Sequence, residues 1–175
     1  MKMQALTFWK TITMDQANNL EDFLSLLDRH QIQYCVVGGQ AVNAYVEPLV
    51  SLDLDLAVAN EQLDQMETLL RQHFRVNRFS HSLNIEMPGS DVRIQLQTDE
   101  RYGNFVARAE SREVLGLVMP VADLEDVLQG KIWAVQDTDR RASKRQKDLA
   151  DIARILEAYP ERKAQVPAEV LERLI

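Results

Sequence analysis

Cysteine is nearly missing from this sequence: Cys35 is the only one. No intrachain disulfide can form, and a reducing, cytoplasmic setting is the expectation. Apolar neighbours predict that this thiol is packed. No stretch approaches the roughly twenty apolar residues of a membrane span, and Met1 to Lys10 lacks the basic-then-apolar layout of a secretory leader. No membrane partner is expected. Internal repeats and low-complexity tracts are also missing. Basic residues are short, 20 Lys and Arg against 27 Asp and Glu, for a formal charge of -7. That balance argues against coating nucleic acid through general basicity. His30, His73 and His81 have no metal-ligand spacing to one another, which argues against zinc. No Ser, His and Asp arrangement can be read from sequence order.

What is present suits a globular chain. The 175 residues are 46% apolar and 27% charged, enough for one domain with a real core and a helical extension. Leu20, Phe23, Leu24 and Leu27 recur at helical spacing after a possible cap at Thr13 or Asp15 and predict a helix ending near His30. Gln33 to Val37 reads as a strand that runs into a tight Gly38-Gly39 turn, followed by a short helix from Gln40 to Val46. In Ser51 to Val58, Leu52, Leu54 and Leu56 alternate with Asp53 and Asp55. This is a strand with one buried face and both acids on the other.

Asn60 is the expected cap of a helix built on Leu63, Met66, Leu69 and Leu70. From Arg75 to Gln97 the pattern is strand-like, with Ser82 to Met87 and Val92 to Gln97 joined by the turn residues Pro88-Gly89-Ser90-Asp91 as an antiparallel pair. Tyr102 to Glu110 is ambiguous, and Val114 to Val118 is the expected last strand before Pro120. Asp123 should cap a helix through Leu124, Val127, Leu128, Ile132 and Val135, with a second helix from Ser143 to Tyr159. Pro167 to Ile175 reads equally as a short helix or a frayed tail. Trp9 and Trp133 are read as packing residues, although Trp133 follows Lys131 closely enough to line the same cleft if the helix turns that way.

The chemistry lies between Tyr34 and Val58. Two carboxylates at i and i+2 on a strand project from one face, within reach of one hard cation such as Mg²⁺. Glycines at the preceding turn let backbone amides approach phosphate oxygens, and the helix starting there adds a partial positive end. Gly39 and Asp53 are separated by thirteen residues. In this order and at this spacing, Gly38-Gly39 and Asp53-Leu54-Asp55 resemble the signature of the nucleotidyltransferase superfamily related to polymerase beta and the minimal nucleotidyltransferases. Ser51 matches the small hydroxyl residue often found two before the first acid. A second stretch carries Leu124-Glu125-Asp126-Val127, Lys131, Arg140, Arg141, Lys147, Asp148 and Asp151. It is similar to the C-terminal half of AbiEii-type nucleotidyltransferase toxins, so the resemblance spans about residues 30 to 160.

The resemblance implies an α+β fold, a mixed sheet flanked by helices with further helices at the C-terminus. It divides the chain into an N-terminal helical segment (1–30), a nucleotidyltransferase-like core (31–120) and a C-terminal helical region (121–175). It also implies transfer of a nucleoside monophosphate from a nucleoside triphosphate to a hydroxyl on RNA, protein or a small molecule. Asp53 and Asp55 would hold Mg²⁺ or Mn²⁺, and Gly38, Gly39 and Ser51 would face the nucleotide. Lys131 and Lys147 would neutralise the triphosphate, with Asp148 and Asp151 orienting them. An antitoxin is an implied partner.

The pattern departs from the family at two places. Active relatives usually carry a third carboxylate on the strand after the acid pair. Here Val92, Ile94 and Leu96 are expected to face the core, which puts Gln95 at that position unless the register shifts and brings in Glu86, Asp91 or Asp99. An Arg common in toxin-type relatives is replaced by Leu49. The degenerate alternative is therefore a module that binds nucleotide without transferring it. The basic run Arg140, Arg141, Lys144, Arg145 and Lys147 fits an RNA backbone, a phosphate or a solvated helix start.

Overall fold

In a computed structural model, residues 19 to 174 are described, so Thr13, Asp15 and Trp9 lie outside the described residues. The strands are β1 (Tyr34–Val37), β2 (Asp53–Val58), β3 (Arg75–Arg78), β4 (Ser82–Glu86), β5 (Arg93–Gln97), β6 (Glu110–Val114) and β7 (Leu117–Val121). The helices are α1 (19–29), α2 (Gly38–Tyr45), α3 (Leu63–His73), α4 (Glu100–Gly103), α5 (Leu124–Gln136), α6 (Ala142–Ala158) and α7 (Ala168–Leu171). The strands form one mixed sheet in the order β3-β4-β5-β2-β1-β7-β6, giving the expected α+β architecture.

Strand alternation sorts the sheet into two unlike faces. Leu54 and Leu56 of β2, Ile94 and Leu96 of β5, and Leu83 and Ile85 of β4 are all buried. They join Phe23 and Leu27 of α1 and Met66 and Leu70 of α3 in one apolar cluster, with the Phe23 and Phe74 rings 5.7 Å apart. Cross-strand partners share a face, so the pairings Asp53 with Arg93, Asp55 with Gln95, Ala57 with Gln97, and Gln95 with Asn84 define the opposite face as polar. This polar face carries the site. Helix α2 packs against β1, β2 and β6 and also touches α5 and α6, which fixes the two long helices beside the acids.

Cys35 is fully buried, and burial pushes its thiol up to about 12, as its apolar neighbours suggested. Asp123 caps α5 by accepting the Glu125 N–H at 2.9 Å. The C-terminal residues include a docked helix, since Val170 of α7 is fully buried and α7 touches α5.

Two local expectations differ from the structure, and one open segment is resolved by it. Val114 to Val118 is not one strand: it spans the end of β6, a Leu115-Gly116 turn and the start of β7. Both turn residues have left-handed backbones, φ 53° and 82°, the geometry a two-residue hairpin requires and one that Leu adopts only under tertiary constraint. The chain therefore doubles back before Pro120, which lies inside β7 opposite Ser111. Asn60 does not cap α3. It opens a short 3₁₀ turn, and its side-chain amide donates instead to the Glu100 carbonyl at 2.9 Å. Gly103 permits this approach, because a Cβ there would lie 2.1 Å from the Asn60 side-chain oxygen. The ambiguous segment after Tyr102 completes α4 and forms a 3₁₀ turn over Val106–Arg108.

Two truncations separate core from surface. Leu56→Ala, at a fully buried position of the central strand, is expected to cost roughly 2–5 kcal/mol in urea unfolding. Leu49→Ala, at a position 58% exposed, should change stability by less than about 0.5 kcal/mol.

Candidate nucleotide and metal site

The antiparallel return of β2 along β1 builds the site. Its register sets Val37 opposite Asp55; the helix begins at Gly38 itself rather than after a Gly38-Gly39 turn, so the start of α2 lands directly on the second acid. Gly38 has φ +68°, and a Cβ there would lie 2.2 Å from Asp55 Oδ2. Glycine is thus required twice, by the left-handed backbone and by the close approach. Gly39 follows within the first turn of α2, where an added Cβ would meet open space. Ser51 organises the entry to β2: its hydroxyl accepts the Asp53 N–H at 3.2 Å, and its carbonyl accepts from Gln40 Nε2 at 2.9 Å.

A cleft of about 540 Å³ opens over the polar face. Asp55 lies on it with Gly38, Gln95 and Gln97, and α5 and α6 contribute Lys131, Trp133 and Asp148 to the lining. Asp53 lies next along the strand face, outside the lining residues. The Asp55 carboxylate is pushed up to about 6, first by burial and then by the negative charge of Asp53, while Lys131, Arg140 and Lys144 pull it down. Asp53 is held by Arg93, Oδ1 to Nε 2.6 Å. Sequence reading missed this partner, although Arg93 stands at the strand position that the register sets beside Asp53.

Lys131 is buried in the cleft wall, with Nζ 2.9 Å from Asp148 Oδ1 and 2.8 Å from Asp151 Oδ2. Burial draws its pKa down, and the two carboxylates more than reverse this, so it is raised and Lys131 stays charged. Asp148 also accepts from Arg140 Nε at 2.7 Å through its other oxygen. The ion pairs are therefore not a solvated helix face. They form a buried network in which Asp148, 2% exposed, holds two cations at the cleft. Lys147 is exposed on α6 and is not among the residues lining the cleft.

Gln95 is the β5 residue in register with Asp55, and Ile94 and Leu96 are buried, so no shift brings a carboxylate to that position. Asp99 is engaged by Arg101, and Glu86 lies opposite Arg93 at the other end of β5. Among the described residues there is no group of three or more His, Cys, Asp or Glu side chains suited to a metal ion. The donors that are present still fit one hard divalent cation. Two like-charged carboxylates share a strand face, and one is desolvated without a hydrogen bond or ion pair of its own among the described residues. The Gln95 amide oxygen is a neutral oxygen donor alongside. The exposed Arg93 is replaceable, since surface ion pairs contribute little.

Comparison with known proteins adds the following. The family model described as nucleotidyl transferase AbiEii toxin, type IV toxin–antitoxin system, matches residues 36–174. No curated protein sequence matches the chain. Among solved structures, ANT(2'')-Ia in complex with adenylyl-2''-tobramycin superposes with a TM-score of 0.62 at 15% identity, covering 92% of this chain and 99% of that one. The lincosamide antibiotic adenylyltransferase LnuA, lincomycin-bound, gives a TM-score of 0.51 at 10% identity, covering 79% and 96%. An antigenic nucleotidyltransferase-like protein from Paracoccidioides brasiliensis gives 0.51 at 20%, covering 83% and 78%. At these identities the likeness shows a shared fold.

Two substitutions test the geometry. Gly38→Ala forces a side chain into a left-handed position against Asp55 and is expected to cost at least about 1 kcal/mol in urea unfolding. For Asp55, a pKa raised from 3.8 to about 6 means that the folded state binds the proton more tightly than the unfolded chain. Its ionisation therefore removes stability as pH climbs through that window. Asp55→Asn should raise the Tm at pH 7.5, and the gain should vanish near pH 3.5.

Proposed function

Because the chain belongs to the AbiEii nucleotidyltransferase toxin family, we propose that it transfers a nucleoside monophosphate from a nucleoside triphosphate to a hydroxyl acceptor, with Asp53 and Asp55 holding Mg²⁺ or Mn²⁺. The observation that carries this reading is the contact of Gly38 with Asp55, which brings a phosphate-accepting turn and a desolvated carboxylate to one point at the head of α2. The backbone amides at Gly38 and Gly39 face phosphate oxygens, helped by the positive end of the helix. Lys131, kept charged by Asp148 and Asp151, offsets the negative charge that gathers on the phosphoryl oxygens and the departing pyrophosphate. Arg140 and Lys144 add to the same positive field, since both act on Asp55. A bound divalent ion would polarise the reacting phosphoryl group and draw Asp53 and Asp55 into ionised form.

The acceptor is a hydroxyl compound of the RNA, protein or small-molecule class. The two antibiotic-modifying relatives in fold support the small-molecule option, and the toxin–antitoxin description of the family supports a macromolecular target and an antitoxin partner. No helix among the described residues is long and apolar enough to cross a membrane, and with the buried thiol this supports a cytoplasmic site of action.

A second reading follows from Gln95. An amide beside Asp55 takes no proton from an attacking hydroxyl, so a module that binds nucleotide and metal without transfer suits the same fold.

Incubation with each labelled nucleoside triphosphate, Mg²⁺, cellular RNA and aminoglycoside or lincosamide acceptors distinguishes the two readings. Transfer that falls about a hundredfold or more in Asp53→Ala is expected. Saturable nucleotide binding with no labelled product selects the second reading. Absence of both binding and product rejects both.

A further inference from the structure

Beyond the metal-facing end of the cleft, Arg101 is held in an unusual way. It lies on α4 with its side chain half exposed, and it lines the cleft. Its Nε is 3.1 and 3.0 Å from the two oxygens of Asp99, and its Nη2 is 2.7 Å from Oδ2. The same carboxylate accepts the Arg101 backbone N–H at 3.0 Å as the cap of α4. The guanidinium carbon stands 4.4 Å from the centroid of the Trp133 ring. Trp133 in turn stacks on Phe105, with 5.7 Å between centroids and 9° between planes, and meets the edge of Tyr102 at 5.5 Å. Gly130 leaves room for that Tyr102 ring, since a Cβ there would lie 3.2 Å from it.

The guanidinium is therefore a flat group clamped in plane by Asp99 and backed by a rigid aromatic stack. Asp99 occupies the Nε and Nη2 edge and offsets much of the charge, which weakens the group as a bidentate phosphate clamp. With Trp133 behind it and its side chain half exposed, the guanidinium also offers a ligand its other planar face, and such faces stack on aromatic heterocycles. Lys131, Arg140 and Lys144 act on Asp55 at the other end of the cleft. The cleft thus has a cationic end beside the acids and a stacking end at Arg101.

We propose that Arg101, braced by Asp99 and Trp133, is the nucleobase platform of this site. The heterocycle stacks on the guanidinium while the phosphates reach toward Gly38 and Lys131. This rests on the nucleotide reading above and assigns the position of the base within it.

Trp133 is the natural reporter. In a Trp9→Phe background it is the only tryptophan, so ATP binding in the presence of Mg²⁺ can be followed by its fluorescence. Inorganic tripolyphosphate, which has no base, is titrated in parallel by calorimetry. ATP is expected to quench Trp133, and Arg101→Ala should weaken ATP binding about tenfold while leaving tripolyphosphate affinity within about twofold. Arg101→Lys keeps the charge and loses the plane, and it should behave as the alanine variant does. Unchanged ATP affinity in both variants would overturn the platform, as would an equal loss for tripolyphosphate. If neither ATP nor tripolyphosphate binds the parent protein, the nucleotide reading itself fails and the platform falls with it.

Discussion

The close approach of the Gly38 backbone to the Asp55 carboxylate is the constraint on which the rest of the site depends. It exists because β2 returns antiparallel along β1 in a register that puts Val37 opposite Asp55. A side chain at Gly38 would occupy the space of a carboxylate oxygen. The same register presents Asp53 and Asp55 on the polar face and sends Leu54 and Leu56 into the core. The hydrophobic burial that holds β2 at the centre of the sheet thus also aims the acids. Any slip of one residue would bury the acids and expose the leucines.

The negative charge placed there is balanced from the other side of the cleft. Lys131 is held by Asp148 and Asp151, and Asp148 also holds Arg140. Buried charges of this kind are tolerated only when paired, and here one carboxylate is paired with two cations. The arrangement keeps Lys131 protonated in a wall that would otherwise neutralise it. Helices α5 and α6 are joined by this network, so the packing of the C-terminal helices and the field at Asp55 are one structural matter. Residue 95 shows the converse. Its partner across the sheet is Asp55, yet it carries an amide, so this strand adds no third charge to the acid pair.

Much of this was legible in the sequence because its causes are local. Alternation of Leu and Asp over residues 52 to 56 gave the faces of β2, helical spacing gave α3, α5 and α6, and the Asp123 cap lies next to the helix it starts. The sequence misled where a distant neighbour outweighed a local preference. Asn60 looks like a cap, but α4 lies against it and takes its amide. Leu115 offers no turn signal, and its left-handed backbone follows from β6 and β7 pairing on either side. Lys131 and Lys147 looked alike as basic residues, and helix packing alone separated a buried cleft cation from an exposed one.

The sequence by itself determined which residue types are available to the candidate site: a glycine pair, two acids at strand spacing, a neutral amide on the next strand of that face, and a basic run from Arg140 to Lys147. These are written in residue type and periodicity, which depend on covalent geometry a few residues long. The tertiary structure alone decided what each of them touches. The Arg93 pairing with Asp53, the two carboxylates on Lys131 and the stack of Arg101 on Trp133 join segments far apart in the chain. Such contacts are set by strand register and helix docking, and those are fixed only when the whole apolar core closes at once.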